Sequence, residues 1–298
     1  MESCPGGESP KISPGQKKHD GGCLREMEDI RVAAVVMESK VGKKAENLAR
    51  MESFVRRAAD QGAQIVCFPE LNISGYSLRQ NMLSFAEKIP GPITQAVLKM
   101  AREHGLLILA GLAEEGPEGR FFISHFAASP EGLLGIYRKL HLGPPEEGVY
   151  QPGGDWPVFQ FAGCTFGMEL CFDAHFPELS TLLALKGAEI IFMPHASPRE
   201  TPADKKERFL RYLTARAYDN SAYVVACNQT GETESGLAFP GTALILNPRG
   251  EVMAANGDGG EEMIFADLKG AELKKVRENP QGFFLKRRRP ALYKELAV

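Results

Sequence analysis

A cysteine, a glutamate and a lysine, each placed where an apolar run stops, supply the parts of a nucleophile, a base and a cationic stabiliser. The cysteine lies in Gly167-Met-Glu-Leu-Cys171-Phe-Asp-Ala-His-Phe-Pro-Glu178, between a predicted strand and a predicted helix. Backbone N–H groups at such a turn, including that of Phe172, can face an oxyanion, and the dipole of the following helix favours a thiolate. A free thiol titrates at about 8.5, so a neighbouring base is useful at neutral pH. The glutamate is Glu70 of Val66-Cys-Phe-Pro-Glu70-Leu-Asn-Ile-Ser-Gly-Tyr76, directly after a strand and Pro69. Desolvation at an apolar strand end raises a carboxyl pKa toward neutrality, which suits a general base. The lysine is Lys139, entering a loop rich in Gly and Pro, where its ammonium can meet a forming oxyanion. His141 and His175 are the alternative bases of a Cys/His pair, although a structural histidine is the commoner reading of His141. Taken singly, the three residues read as a loop carboxylate, an exposed lysine and a buried thiol. Their order on one scaffold is what points to catalysis.

The scaffold that must hold them is of the α/β class. Ile30–Val36, Gln64–Phe68, Leu106–Leu112, Phe121–Ala128 and Leu133–Tyr137 read as strands in the first half. Leu48, Met51, Phe54, Val55 and Ala58 form one apolar stripe at helical spacing, and a second helix runs from about Ile93 to Glu103 and stops at Gly105. Val158–Phe161, Thr165–Leu170, Glu189–Met193, Ala222–Cys227, Thr242–Leu246, Glu251–Ala254 and Met263–Ala266 are the later strands. Leu179–Leu185, Ala203–Asn220 and Ala271–Glu278 are the later helices. Alternating strands and helices, interrupted by hairpin-like pairs, predict a mixed sheet or two packed sheets covered by helices. No repeat of fixed period is evident. Each candidate side chain sits at a strand end, where open α/β sheets gather their sites.

Bulk properties narrow the function class. The chain has 298 residues, 43% of them apolar, which suffices for a large core. Its 35 basic and 38 acidic residues leave a formal charge of −3, so neither nucleic acid nor an anionic membrane is the expected partner. No apolar run reaches the roughly 18 residues of a membrane span. Residues 1–29 are polar, without the apolar middle of a secretory signal, and are expected to form a disordered tail before one domain over 30–298. A cytoplasmic location follows from that reading. The six cysteines show neither a disulfide framework nor metal-ligand spacing. The short basic run Lys286–Arg289 reads as solvated surface.

The sequence resembles the nitrilase superfamily, the carbon–nitrogen hydrolases, over nearly all of 30–298. Phe68-Pro-Glu70 with Gly75-Tyr76, Arg138-Lys139-Leu-His-Leu142, and Cys171-Phe-Asp173 with Phe176-Pro-Glu178 look like its three motifs, in order. Ala215–Asn220, Ala226–Gly231 and Arg288-Arg-Pro290 add to the likeness. Ile123-Ser124 and Gly241-Thr242 depart from the family pattern, outside the catalytic motifs. The resemblance implies a four-layer α-β-β-α sandwich, with Glu70 as general base, Cys171 as nucleophile and Lys139 as stabiliser of the tetrahedral intermediate. A second family glutamate matches Glu146 better than Glu147, judged by the distance to Gly153. Tyr76, Phe172, His195 and Ala196 are the expected substrate contacts. No metal or organic cofactor is expected, and a homodimer is. Nitrilases of the superfamily usually carry Trp-Glu after the nucleophile. Phe172-Asp173 resembles the amidase and carbamoylase branches, so the expected substrate is a small amide or N-carbamoyl compound. Nitrile hydrolysis on the same residues and a catalytically silent interaction protein are the alternatives.

Overall fold

The computed structural model describes residues 26–77 and 80–297. Most of the expected tail, 1–25, lies outside the described residues. Residues 26–29 do not extend from the fold as a tail would. Met27 is buried, the Glu28 N–H donates to the Gly163 carbonyl at 3.3 Å, and Asp29 accepts from the Gly270 N–H at 3.0 Å.

The first half alternates strand and helix: β1 (Ile30–Val36), α1 (Lys44–Asp60), β2 (Ile65–Cys67), α2 (Pro92–His104) and β3 (Leu107–Glu115). β4 (Phe121–Ser129) and β5 (Gly132–Arg138) follow as an antiparallel pair. The second half opens with the pair β6 (Val158–Phe161) and β7 (Cys164–Met168). It then alternates again through α3 (Pro177–Leu185), β8 (Ile190–His195), α4 (Pro202–Asn220) and β9 (Tyr223–Asn228). A small ribbon of β10 (Thr230–Glu232) and β11 (Ala238–Pro240) comes next, then β12 (Ala243–Leu246), β13 (Val252–Ala255), β14 (Glu262–Leu268) and α5 (Gly270–Glu278).

The helix ends follow local chemistry. α2 begins with proline, whose missing N–H costs nothing there, and ends on Gly105 at φ 68°, a left-handed conformation that glycine adopts freely. α4 is capped by Thr201, whose hydroxyl accepts from the Asp204 N–H at 3.2 Å. Its first residue is also proline.

Two six-stranded sheets result, ordered β14-β1-β2-β3-β4-β5 and β13-β12-β9-β8-β7-β6. Within each, three strands run parallel, β1-β2-β3 and β7-β8-β9, and the flanking strands pair antiparallel. The same βαβαβ arrangement therefore occurs twice, without a sequence period to announce it.

Side-chain alternation along the strands sets the layers. Val32, Ala34, Cys67 and Leu109 of the first sheet meet Phe166, Phe192, Val225 and Cys227 of the second. The alternate residues Ala33, Val35, Val66 and Ile108 pack under Met51 and Val55 of α1 and Val97 of α2. On the far side Ile191, Met193 and Val224 pack against Leu183 of α3 and Phe209 and Leu213 of α4. Three apolar layers separate four layers of elements, so the architecture is the expected α-β-β-α sandwich. The inner strands are buried on both faces, which is why they read as continuous apolar runs. The ribbon β10–β11 was not expected. Its three-residue strands carry too little alternation to register as strands.

Candidate active site

The parallel strands of both sheets deliver their carboxyl ends to one place. Glu70 leaves β2 through Phe68 and Pro69, and Phe68 continues the ladder by donating its N–H to the Leu109 carbonyl at 3.0 Å. The chain then turns through Leu71 at φ 54°, a left-handed conformation uncommon for a residue bearing a side chain. That turn is stitched to β3. Asn72 accepts from the Gly111 N–H at 2.8 Å, and Ser74 accepts from the Ala113 N–H at 3.1 Å. Gly75 closes it at φ 74°, where a Cβ would stand 2.6 Å from the Val41 backbone. These bonds fix where the Glu70 carboxylate points.

Lys139 follows β5. Its N–H donates to the Ile123 carbonyl and its own carbonyl accepts from the Gly153 N–H, at 2.9 and 2.8 Å. The neighbouring Arg138 is clamped outward on the buried Glu114 through two bonds, 2.6 and 2.7 Å long, with Ser124 donating to the same carboxylate at 2.5 Å. Arg138 and Lys139 thus part to opposite partners.

The Lys139 ammonium is buried and donates to Glu70 Oε1 at 2.8 Å and to Glu146 Oε1 at 2.9 Å. Glu146 is held in turn by the Tyr76 hydroxyl at 3.1 Å and the Gly143 N–H at 2.7 Å. Glu147, its neighbour, is exposed. The second oxygen of Glu70 accepts from the Ala196 N–H at 2.9 Å, and the Glu70 carbonyl accepts from the Gln229 side chain at 2.6 Å. Ala196 follows β8 and Gln229 follows β9, so the second sheet grips the glutamate of the first.

Cys171 sits after β7, at φ 46°. Such strain in a non-glycine residue persists only where the surroundings impose it, and it collects at functional sites. Asp173 does the imposing. It is fully buried and accepts from the Leu170 N–H at 3.0 Å, the Tyr137 hydroxyl at 2.7 Å and the His141 N–H at 2.8 Å. The cysteine turn is thereby tied to the strand and loop that carry Lys139. His141 Nδ1 lies 2.9 Å from the same carboxylate and its ring stacks on Phe176 at 3.8 Å between centroids. His175 stands against Phe172 and Tyr212, at 5.7 and 4.5 Å between ring centroids.

Electrostatics separate the three central groups. Burial pushes the Glu70 carboxyl up to about 7, and Lys139 only partly offsets it. Burial alone would depress the Lys139 ammonium, but Glu70, Cys171 and Glu146 outweigh it and hold the pKa above its ordinary value. Burial and then Glu70 push the Cys171 thiol up to about 12. This corrects the expectation that a following helix dipole favours the thiolate here; the need for a base stands. Cys171 opens a 3-10 turn, Cys171–His175, and α3 begins only at Pro177, so the long helix does not start at the sulfur. The resting group is a thiol, and it needs a base.

The expected substrate contacts have the following surroundings. Tyr76 is bound to Glu146 and packs edge-on against Phe239 at 5.9 Å. Ala196 donates to Glu70. His195 is buried, with Nδ1 2.7 Å from the Met193 carbonyl and Nε2 3.2 Å from the Tyr212 hydroxyl. A carbonyl only accepts, so Nδ1 carries the proton and Nε2 receives the Tyr212 hydroxyl. Burial holds this imidazole neutral, well below its ordinary pKa. Phe172 is partly exposed beside the sulfur. Tyr137 and Asp173, which fix the turn, and Gln229, which fixes Glu70, were not singled out from sequence as site residues. Tyr137 reads there as one more apolar strand residue.

Comparison with known proteins agrees with this geometry. Residues 31–278 match the profile of the family described as carbon–nitrogen hydrolase. A relative named nitrilase from Pyrococcus abyssi is 34% identical over 274 residues, covering 89% of this chain and 99% of its own. The Omega-amidase NIT2 of Homo sapiens is 30% identical over 271 residues, covering 88% and 96%. Among solved structures, an amidase from Nesterenkonia sp. superposes with a TM-score of 0.78 at 24% identity, over 92% of this chain and 98% of that one. A cysteine-to-alanine variant of the Nesterenkonia sp. AN1 amidase in complex with butyramide gives 0.77 at 26% identity, over 89% and 96%. With a buried glutamate and lysine and a half-buried cysteine at the strand ends of a four-layer sandwich, and a family match spanning most of its length, this chain belongs to the carbon–nitrogen hydrolase family.

Proposed function

We propose that the protein hydrolyses small amides through a thioester on Cys171. One observation carries the reading: a single buried ammonium, Lys139, is hydrogen-bonded to two carboxylates, Glu70 and Glu146, beside a strained cysteine. Glu70, poised near neutrality, takes the thiol proton as the sulfur attacks the amide carbon. Two of the three Lys139 donors hold carboxylates. The third, with the backbone N–H of Phe172, stabilises the oxyanion. Glu70 then returns the proton to the leaving ammonia or amine and activates the hydrolytic water. Glu146 keeps Lys139 charged and in place, and Tyr76 orients Glu146. Ala196 and His195 support the site from β8, the first through Glu70 and the second through Tyr212.

The preference for an amide over a nitrile rests on Phe172-Asp173. Asp173 makes four polar contacts here, to Leu170, Tyr137 and His141, and the turn is shaped around it. The likeness to a protein named nitrilase keeps nitrile hydrolysis as the second reading. Ammonia release from a panel of small amides, N-carbamoyl amines and matched nitriles tests both, run with the wild type and Cys171→Ala. Release from amides, lost in the variant and accompanied by an acyl mass on Cys171, supports the amidase reading. Release from nitriles alone would favour the second. No release and no acyl mass would reject both. The cytoplasmic location and the homodimer also stand as proposals, checked by fractionation and sedimentation. No described helix is long and apolar enough to cross a membrane, and Leu185 on α3 and Tyr218 on α4 leave apolar surface exposed.

A further inference from the structure

A cleft at the carboxyl end of α5 takes no part in the chemistry above. It encloses about 410 Å³ between the last residues of that helix and the 3-10 turn Phe284–Arg287. Arg277, Lys286 and Arg287 line it. The last two belong to the basic run 286–289, which the sequence alone presents as solvated surface. Both are exposed, as expected, but they meet Arg277 across one concave space.

Each of these cations is held by a neutral group. Arg277, half-buried, donates through Nε to the Ser221 carbonyl at 3.0 Å and through Nη2 to the Ala188 carbonyl at 2.7 Å. Arg287 donates to the Pro280 carbonyl at 3.2 Å. The Lys286 ammonium stands 5.3 Å from the centre of the Phe283 ring. Among the described residues none of the three forms an ion pair. The two nearby acids are engaged elsewhere. Glu278, on the cleft wall, faces Lys274 at 3.9 Å. Glu189, whose charge is felt by Arg277, accepts from the Thr165 N–H at 2.7 Å. The chain has more acids than bases, yet three cations share one cleft without a counter-charge.

Fixed positive charge around a concave space concentrates anions. Burial depresses the Arg277 pKa, so this guanidinium has already shed water that an anion can replace. A guanidinium fork matches phosphate oxygens in pairs, and an ammonium adds a point charge. The Nη1 group of Arg277 has no partner among the described residues and is left for such a bond. The cleft is larger than a bare phosphate and falls in the size range of small-molecule sites. We infer that it is a binding site for a small molecule bearing phosphate groups, separate from the catalytic centre. The inference does not depend on the amidase reading.

Calorimetric titration of the full chain with pyrophosphate, at fixed ionic strength, tests it. The wild type should bind with a Kd below about 1 mM. Lys286→Gln with Arg287→Gln changes two exposed positions and should weaken binding about tenfold or more. Arg288→Gln with Arg289→Gln removes the same net charge outside the cleft and should change the Kd by less than about threefold. No binding by the wild type overturns the inference. Equal weakening in the two double variants overturns it as well, because it marks a diffuse field and not a site. Cosedimentation with phosphatidylcholine vesicles doped with phosphatidylinositol phosphate separates the two sources of phosphate. Binding to those vesicles, with none to pyrophosphate, would make the ligand a lipid headgroup and overturn the small-molecule assignment.

Discussion

The backbone N–H of Ala196, at the end of a strand in the second sheet, donates to the carboxylate of Glu70, at the end of a strand in the first, at 2.9 Å. The base is therefore aimed by the sheet that carries the nucleophile. Its second oxygen is held by the Lys139 ammonium, so neither oxygen is free to swing.

Replacing this base separates position from proton transfer. Glu70→Gln retains a hydrogen-bond acceptor of the same size but cannot take the thiol proton. The expected result is a loss of about 10²- to 10⁴-fold in kcat/KM with an unchanged circular dichroism spectrum. Full activity in this variant, combined with its loss in a His141 or His175 variant, would transfer the base to a histidine.

The pH profile follows from the same group. Burial raises the Glu70 carboxyl to about 7, so it is protonated and inactive as a base below that pH. The thiol, raised to about 12, stays protonated across the accessible range and contributes no rise of its own near neutrality. Accordingly kcat/KM should climb about tenfold per pH unit below 7 and level off above it. Stopped-time ammonia assays from pH 5 to 9 read this directly.

Lys139→Met leaves two buried carboxylates facing each other without their cation. Both activity and stability should suffer: the rate by 10²-fold or more through the lost oxyanion donor, and the fold by roughly 3 kcal/mol because buried partners are stranded. Urea unfolding of the variant beside wild type measures the second figure. An unchanged midpoint would mean that the carboxylates find other donors.

Asp173→Ala should act at a distance from the reacting atoms. Three backbone or hydroxyl donors lose their acceptor at once, and the strained Cys171 loses its brace. A destabilisation of roughly 3 kcal/mol is expected at about 1 to 3 kcal/mol for each stranded buried group, with partial compensation. Thiol-alkylation rates at fixed pH should also change, because the sulfur is no longer held in one conformation.

Glu169 sets a stability trend opposite to that of a surface ion pair. Burial pushes its carboxyl up to about 8, with Asp173 adding to the shift and the Ser180 hydrogen bond opposing it. Unfolded, it titrates near 4.3. Between those values the folded state holds a proton that the unfolded state has lost, so this group's contribution falls as pH rises through the window. Urea midpoints at pH 5 and pH 8 should therefore diverge less in Glu169→Gln than in wild type.

The sequence made the chemistry legible where strand ends and residue types coincide, as at Glu70, Lys139 and Cys171. It favoured Glu146 over Glu147 only by the distance to Gly153, and the path of the loop is what turns Glu146 inward onto Lys139. The rise of the thiol's pKa above its free value was not legible, because spacing along the chain cannot express burial. The twofold βαβαβ plan leaves no fixed sequence period, because apolar strands of similar shape need not share letters.

The return of β14 to pair with β1 over seven residues, Ile30 with Leu268 through Val36 with Glu262, has a consequence for biogenesis. The first described strand waits for the last described one. Until residues 262–268 leave the ribosome, β1 presents an open hydrogen-bonding edge to other nascent chains. A message truncated before Glu262 would yield a product whose first sheet is never sealed, prone to self-association although all three central site residues are present.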